Sequence, residues 1–237
     1  MTQAVISILL LSLKLYKQRW TTLTKSKIFS VKHFLTREQL CVGLHVPIQE
    51  NIESFGPLVE KWVTSGTSVA AIHTPTNRLA GVTLTTILTR EKQFTLNLNE
   101  EKKPGKEIQN LLTILIDMEK QANLFGDPKI NKVLEIAATT VDPEFSGNKI
   151  TYRMTEEIER LAKEKGCQII TAQSTSKITQ HIRSKMGYEI ILRIDYDTME
   201  INGEKVIDMS ALDGTQVQFV QEIFCEKYSY LQLSELE

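Results

Sequence analysis

Apolar positions along this chain recur with two periods, and each change of period marks a new element. Near the start, "AVISILLLSL" (Ala4 to Leu13) is a continuous apolar run. It is shorter than the roughly 20 residues a membrane-spanning helix needs. Its basic neighbours Lys14 and Lys17 follow it, whereas a signal peptide carries its charge in front. Residues 1–14 are therefore expected to be a packed or poorly ordered extension. "LYKQRWTTLT" (Leu15 to Thr24), rich in aromatic and β-branched residues, predicts a first strand. "SKIFSVKHFL" then sets Ile28, Val31 and Phe34 at helical spacing behind Ser26 as N-cap. In "NIESFGPLVEKWVTSG", Ile52, Phe55, Val59, Trp62 and Val63 share one helical face. Gly66 stops that helix, and Pro57 interrupts it, leaving one helix or two short ones.

The middle of the chain turns to strand patterns. "TSVAAIHT" and "RLAGVTLTTILT", separated by "PTN", read as a β-hairpin. A polar stretch with Pro104 and Gly105 as breakers follows as a loop. Ile108, Leu111, Leu112, Leu115 and Met118 form a helical stripe that ends at "GDP". Val133 to Val141 predicts a strand, followed by a short polar loop. Ile150, Met154, Ile158 and Leu161 are in phase for an amphipathic helix. "CQIITAQ" is a strand, "KITQHIRSKMG" a short helix stopped by Gly187, and "YEIILRIDY" and "TQVQFVQEIF" two closing strands with a turn at "INGEK". The order β-α-α-β-β-α-β-α-β-α-β-β is an α+β layout with helices on a mixed sheet. No repeat or low-complexity linker divides it, so residues 15–225 read as one domain, with 226–237 as a tail.

Composition narrows the chemistry. The chain has 237 residues, 41% hydrophobic and 24% charged, with a formal net charge of -1. That balance gives no support for a phosphate-driven nucleic-acid binder. Cys41, Cys167 and Cys225 match no disulfide framework or metal spacing and fit a reducing compartment. His33, His45, His73 and His181 are scattered, so no metal centre is expected.

The loop between strand and helix, "SGNK" (Ser146 to Lys149), carries the candidate chemistry. A helix N-terminus offers unpaired amide hydrogens and a partial positive charge, which together suit a pyrophosphate. By itself such a loop is also an ordinary surface turn.

Four stretches resemble the GNAT superfamily of acyl-CoA-dependent N-acetyltransferases, and within it the invertebrate arylalkylamine (dopamine-type) branch. "HFLTREQLCVGL" is similar to that branch's "HFF..EPLC..LG", and "GTSVAAIHTPTNRLAGVTL" to its first hairpin. "TTVDPEFSGNKITYRM" is similar to the acyl-CoA motif "VHPDYRGRGIGTKL", and "STSKITQHIRSKMGYEI" to "TSLYSARIFEKLGFEV". The resemblance runs from about Tyr16 to Phe224.

It implies a GNAT-like fold, with a mixed, mostly antiparallel sheet flanked by helices around an acyl-CoA crevice. It implies acetyl-CoA as co-substrate, held by Thr139, Thr140, Val141, Ser146, Gly147, Asn148, Lys149, Ile150 and Thr151. The acceptor it implies is a small arylalkylamine. A primary amine is almost wholly protonated at neutral pH and must lose that proton before it attacks a thioester. The branch's proposed base falls on Glu38, followed by Gln39 where proline is usual. Two substrate-binding or proton-relaying serines fall on Thr175 and Thr179, and Thr175 and Ser176 are also natural caps for the next helix. The leaving thiolate needs a proton source; Tyr188 reads as core beside the cofactor thiol rather than as that acid, Tyr196 is the other candidate for it, His33 reads as a packed helix residue and Cys167 as core. Lys149 and Thr151 stand where the motif has small residues. That departure motivates a second reading, a GNAT-fold protein with a binding or regulatory role. A protein-lysine acetyltransferase would show an acidic peptide groove, which the sequence does not display. The expected protein is a cytoplasmic monomer that neither binds nucleic acid nor inserts stably in membranes.

Overall fold

Strands β1 (Ile6–Leu10), β2 (Val69–His73), β3 (Arg78–Thr89), β4 (Lys132–Val141), β5 (Ile169–Ser174), β6 (Glu189–Asp195) and β9 (Gln216–Ile223) build one sheet in the order β1-β2-β3-β4-β5-β9-β6. β7 (Glu200–Ile201) and β8 (Glu204–Lys205) form a separate hairpin at the expected "INGEK" turn. These coordinates come from a computed structural model, which describes residues 6–11, 29, 31–92 and 104–223. The strand expected over Leu15 to Thr24, the Ser26 cap, Ile28, Cys225 and the tail lie outside the described residues.

Helices cover both faces of the sheet. α4 (Ile150–Glu164) buries Ile150, Met154, Ile158 and Leu161 against β1 to β5, as its apolar stripe requires. Each such side chain contributes about 1.5–3 kcal/mol on burial. α1 (Gln39–Gly43), α2 (Ile48–Val63) and α3 (Lys106–Ala122) form a second layer with their own apolar clusters, and α5 (Lys177–Lys185) joins β5 to β6. A π-helical turn (Val31–Leu35) precedes α1.

Two open readings are resolved. The apolar N-terminal run supplies the edge strand β1, antiparallel to β2 from Ile6↔His73 to Leu10↔Val69. Its partners lie 59 to 67 residues away, which no local pattern reveals. α2 runs unbroken through Pro57, which is exposed while Phe55, Leu58, Val59 and Val63 stay buried. The ring interrupts only the solvent side, so the packed face keeps its register.

The feature that makes the site is a divergence. β4 and β5 are the parallel pair, matched over four positions from Val133↔Ile169 to Ile136↔Ala172. Beyond them β4 continues to Val141 beside β3, and β5 continues to Ser174 beside β9. Leu84 faces Ala138 while Thr85 faces Ile136, so Ala137 is an extra residue on β4. Such a bulge bends its strand. The two strands part like a wedge, and among the described residues no strand pairs with the Ala137–Val141 edge on the β5 side. α4 starts at the wide end. It lies so close to β3 that a Cβ on Gly81 would come 3.2 Å from side-chain atoms of Ile150 and Met154.

Candidate active site

A cavity of about 710 Å³ fills the wedge. One arm runs between the open edge of β4 (Ala137 to Val141) and the end of β5 (Gln173, Ser174), up to Ser146, Gly147, Lys149, Ile150 and Thr151. The other arm lies on the α1–α3 face and is apolar, with Phe34, Phe55, Val59, Trp62, Leu111 and Leu115. Glu38, Thr175 and Thr179 line the same cavity. Of the site residues expected from sequence, Asn148 does not line it.

The loop at the wide end is shaped by backbone geometry. Gly147 has φ +79°, and a Cβ there would touch nothing within 4 Å. Glycine therefore serves conformation at this position, not space. Lys149, the N-cap residue of α4, is also left-handed (φ 54°, ψ 26°) and its side chain makes no capping bond. The first intrahelical amide bond is Arg153 N–H to Lys149 O. The amides of Ile150, Thr151 and Tyr152 precede it and have no partner within the helix. Asn148 braces the loop by donating Nδ2 to the carbonyls of Phe145 (3.0 Å) and Ser146 (3.3 Å). Asp142 accepts from the Glu144 amide and pairs with Arg78, which also pairs with Glu144 and lies over the Phe145 ring. Lys149 is exposed and Thr151 half-buried on the cavity wall.

Along β4, each threonine already has a partner. Thr139 Oγ1 lies 3.3 Å from Thr83 Oγ1. Thr140 Oγ1 donates to the His33 carbonyl and accepts from Arg37 Nη2, which also donates to Val141 O. Arg37 thus places a guanidinium on the open β4 edge, a cavity-lining cation that the sequence reading did not single out. His33 packs its ring on Phe29 at 4.6 Å.

Glu38 is the N-cap of α1. Its Oε1 accepts the Leu40 amide at 3.1 Å and its Oε2 the Cys41 amide at 2.7 Å. A carboxylate has about four acceptor sites, so about two remain for water or substrate. Gln39, where proline is usual in the family, is buried and its Oε1 accepts the Asp213 amide. The cap of α5 is Ser176, whose Oγ accepts the Thr179 amide, while Thr179 Oγ1 donates to Ser176 O. Thr175 takes no part in that cap. Its carbonyl accepts the Tyr196 hydroxyl at 2.7 Å. Tyr196 is fully buried, and burial first, then Glu38 and Asp213, push its phenol far above the ordinary range. It serves as a brace under Thr175. Tyr188 is core, with its ring under Arg183.

Glu135 also lines the cavity, and sequence reasoning passed over it. The signal was a lone acid inside the apolar run "VLEIAA". Its carboxyl is pushed well up by burial and by Glu119 beside it. Cys41 is a buried cavity-lining thiol whose pKa is raised by burial and by Glu38, which disfavours a thiolate nucleophile. Cys167 is core, as expected. Among the described residues no cluster of metal-ligating side chains occurs, and no helix is long and apolar enough to cross a membrane.

A scan against protein-family models finds no match, and a search of curated proteins finds none either. Solved structures do match over nearly the whole chain. The mosquito arylalkylamine N-acetyltransferase like 5b superposes with a TM-score of 0.77 at 17% identity, covering 93% of this chain and 100% of that one. The Drosophila melanogaster polyamine N-acetyltransferase, which catalyses the formation of N-acetylagmatine, gives 0.73 at 19%, with 93% and 100% covered. More distantly, Arabidopsis thaliana NAA60 in complex with acetyl-CoA gives 0.52 at 10%, with 93% and 99% covered. The fold is the GNAT fold shared by these N-acetyltransferases.

Proposed function

We propose that this protein is an N-acetyltransferase that moves the acetyl group of acetyl-CoA to a primary amine, in one step with both substrates bound. The observation that carries the reading is the single cavity that joins the start of α4 to Glu38, Thr175 and Thr179. The residues present fit the carrier. Three helix-terminal amides and a glycine with positive φ suit a pyrophosphate, Arg37 and Lys149 add positive charge, and the open β4 edge offers backbone groups to the pantetheine amides. Acetyl-CoA supplies the activated acyl group. Glu38 takes the ammonium proton through a water, using its free lone pairs, and the Thr175 and Thr179 hydroxyls orient the amine. The apolar arm with Phe34, Phe55 and Trp62 accommodates the ring of an arylalkylamine. No metal or thiol nucleophile is assigned a part, and the reaction is placed in the cytoplasm.

The test is acetyl-CoA-dependent thiol release with a panel of primary amines. Release that depends on amine supports the reading. Carrier binding without release to any amine favours instead a regulatory GNAT-fold protein, in keeping with the lysine and threonine at Lys149 and Thr151.

A further inference from the structure

α5 reverses the usual amphipathic pattern. Its isoleucine Ile178 is 69% exposed, while its one buried residue is Arg183, 3% exposed. A surface helix normally buries an apolar stripe, so a guanidinium in that place is the informative exception. Arg183 lies one turn beyond Thr179 on the same stripe, and both line the cavity, whose lining ends on α5 at Arg183. On α4 the lining ends at Tyr152, and Thr155, one turn beyond the cavity-lining Thr151, accepts a hydrogen bond from Arg183 Nη1 at 2.8 Å. The guanidinium thus closes the groove between the two helices, about 5.4 Å along the axis from Thr179. The Tyr188 ring flanks it, with its centroid 5.0 Å from Cζ. Arg37 and Lys149, the other permanent cations on the cavity wall, are exposed. A guanidinium is never neutral and has five N–H donors, of which Thr155 takes one. Burying that charge is costly, and an apolar residue of similar size packs at less cost. At the end of a substrate cavity it fits an anionic atom of the ligand, and the leaving sulfur is such an atom. Tyr196 gives its hydroxyl proton to Thr175 O and Tyr188 gives its own to Glu159, so neither phenol is poised to protonate that sulfur.

We propose that Arg183 is a further catalytic residue, which holds the coenzyme A sulfur as a thiolate when it leaves, so that the transfer needs no acid. The claim rests on the acetyl-transfer reading and adds to it the fate of the leaving group. Glu38 first takes one proton of the ammonium through water. The amine nitrogen then bonds to the carbonyl carbon, the C–S bond breaks, and its electron pair stays on sulfur. The second nitrogen proton passes to solvent, which leaves the N-acetylated amine and a thiolate paired with the guanidinium. A thiol with an ordinary pKa of about 8.5 is close to leaving as the anion at neutral pH, and a cation in contact lowers such a value by about 1–3 units. Glu38 on the same wall acts in the opposite sense, while Arg37 and Lys149 act in the same sense, so a substitution of Arg183 is what isolates its part.

The test uses the full chain with free coenzyme A and with desulfo-coenzyme A, which lacks the sulfur. The ultraviolet absorbance of the thiolate is titrated with pH, and the desulfo complex is the blank for the protein's own cysteines and tyrosines. In the wild type the bound thiol should titrate about 1–3 units below free coenzyme A. Arg183→Met should return it to the free value or above, and Arg183→Lys should keep part of the shift. With acetyl-CoA, kcat should fall about tenfold in Arg183→Met, the worth of one pKa unit, with the KM of the amine unchanged. Calorimetry should give desulfo-coenzyme A the same affinity for the wild type and Arg183→Met. Thermal melting verifies that Arg183→Met is folded, and Arg183→Gln takes its place if it is not. A thiol that titrates at the free value in the wild type, or equally low in the folded variant, overturns the proposal. So does an equal loss of affinity for both carriers, which would make Arg183 a phosphate contact or a packing residue. A lowered thiol pKa without acetylation of any amine keeps the thiolate site and removes the transferase reading. Acetyl transfer with an unshifted thiol does the reverse.

Discussion

Replacing Glu38 with glutamine separates its cap of α1 from the proton-acceptor role proposed for it. As N-cap, its two oxygens take the Leu40 and Cys41 amides at 3.1 and 2.7 Å. A glutamine has one oxygen and keeps one of those bonds, without the charge that strengthens it at a helix N-terminus. The loss is about 1 kcal/mol, in the middle of the range for N-cap substitutions, which for a chain of this size lowers Tm by about 2–4 °C. As proton acceptor its removal is far more costly, about 10²–10⁴-fold in rate. The two effects are read independently, by thermal unfolding and by steady-state thiol release at saturating acetyl-CoA. Carrier affinity, measured by calorimetry, should stay within about twofold, because the proposed pyrophosphate cradle lies at the start of α4, away from Glu38. A folded Glu38→Gln variant with turnover within about twofold of wild type would refute the assignment of Glu38 as base. A rate loss matched by an equal loss of carrier affinity would show that the cap, not the proton transfer, was disturbed.

Other substitutions probe the rest of the site. Lys149→Gly relieves a left-handed residue, worth about 1–2 kcal/mol, against the roughly 0.5–1 kcal/mol that glycine loses in chain entropy. Tm should rise by about 2 °C, and a fall would mean that the lysine side chain supports the loop. Tyr196→Phe removes the donor to Thr175 O and should lower stability by about 1–2 kcal/mol, with only a few-fold loss of kcat. A loss beyond about 10³-fold would make Tyr196 the proton donor after all. Glu135 gives a pH signature. Its native pKa lies well above the ordinary carboxyl range, raised first by burial and then by Glu119. The native state therefore keeps a proton that the unfolded chain releases. Its share of stability is complete below the unfolded value near 4.3 and declines as pH rises toward the raised native value. Glu135→Gln should flatten that decline and melt higher than wild type at pH 8. An unchanged pH slope contradicts the burial argument.

Much of the fold was legible because its elements have strong local periods. Met154, Ile158 and Leu161 define α4 without help from the rest of the chain, and the hairpin from Val69 to Thr89 shows in its apolar runs and the intervening "PTN". β1 was not legible as a strand, since an edge strand pairing with a distant partner looks the same in sequence as a loose apolar leader. Pro57 left one helix or two open for a similar reason. A proline breaks a helix in general, but the sequence does not say that this one faces solvent. At the site, "SGNK" was found from the strand-loop-helix order, while its shape depends on positive φ at Gly147 and Lys149. The role of Glu38 as a cap is a three-dimensional fact that its neighbours only hint at. Arg37 and Glu135 escaped because each acts through contacts over 15 or more residues, with Val141 and with Glu119. A single charge in an apolar strand was the one available clue.

The most direct measurement is a crystal structure of the protein grown with acetyl-CoA. The account predicts the diphosphate within about 3 Å of the amides from Gly147 to Tyr152, and the pantetheine arm between the open edge of β4 and the end of β5. A carrier bound elsewhere, or a protein that retains none at millimolar concentration, would contradict it.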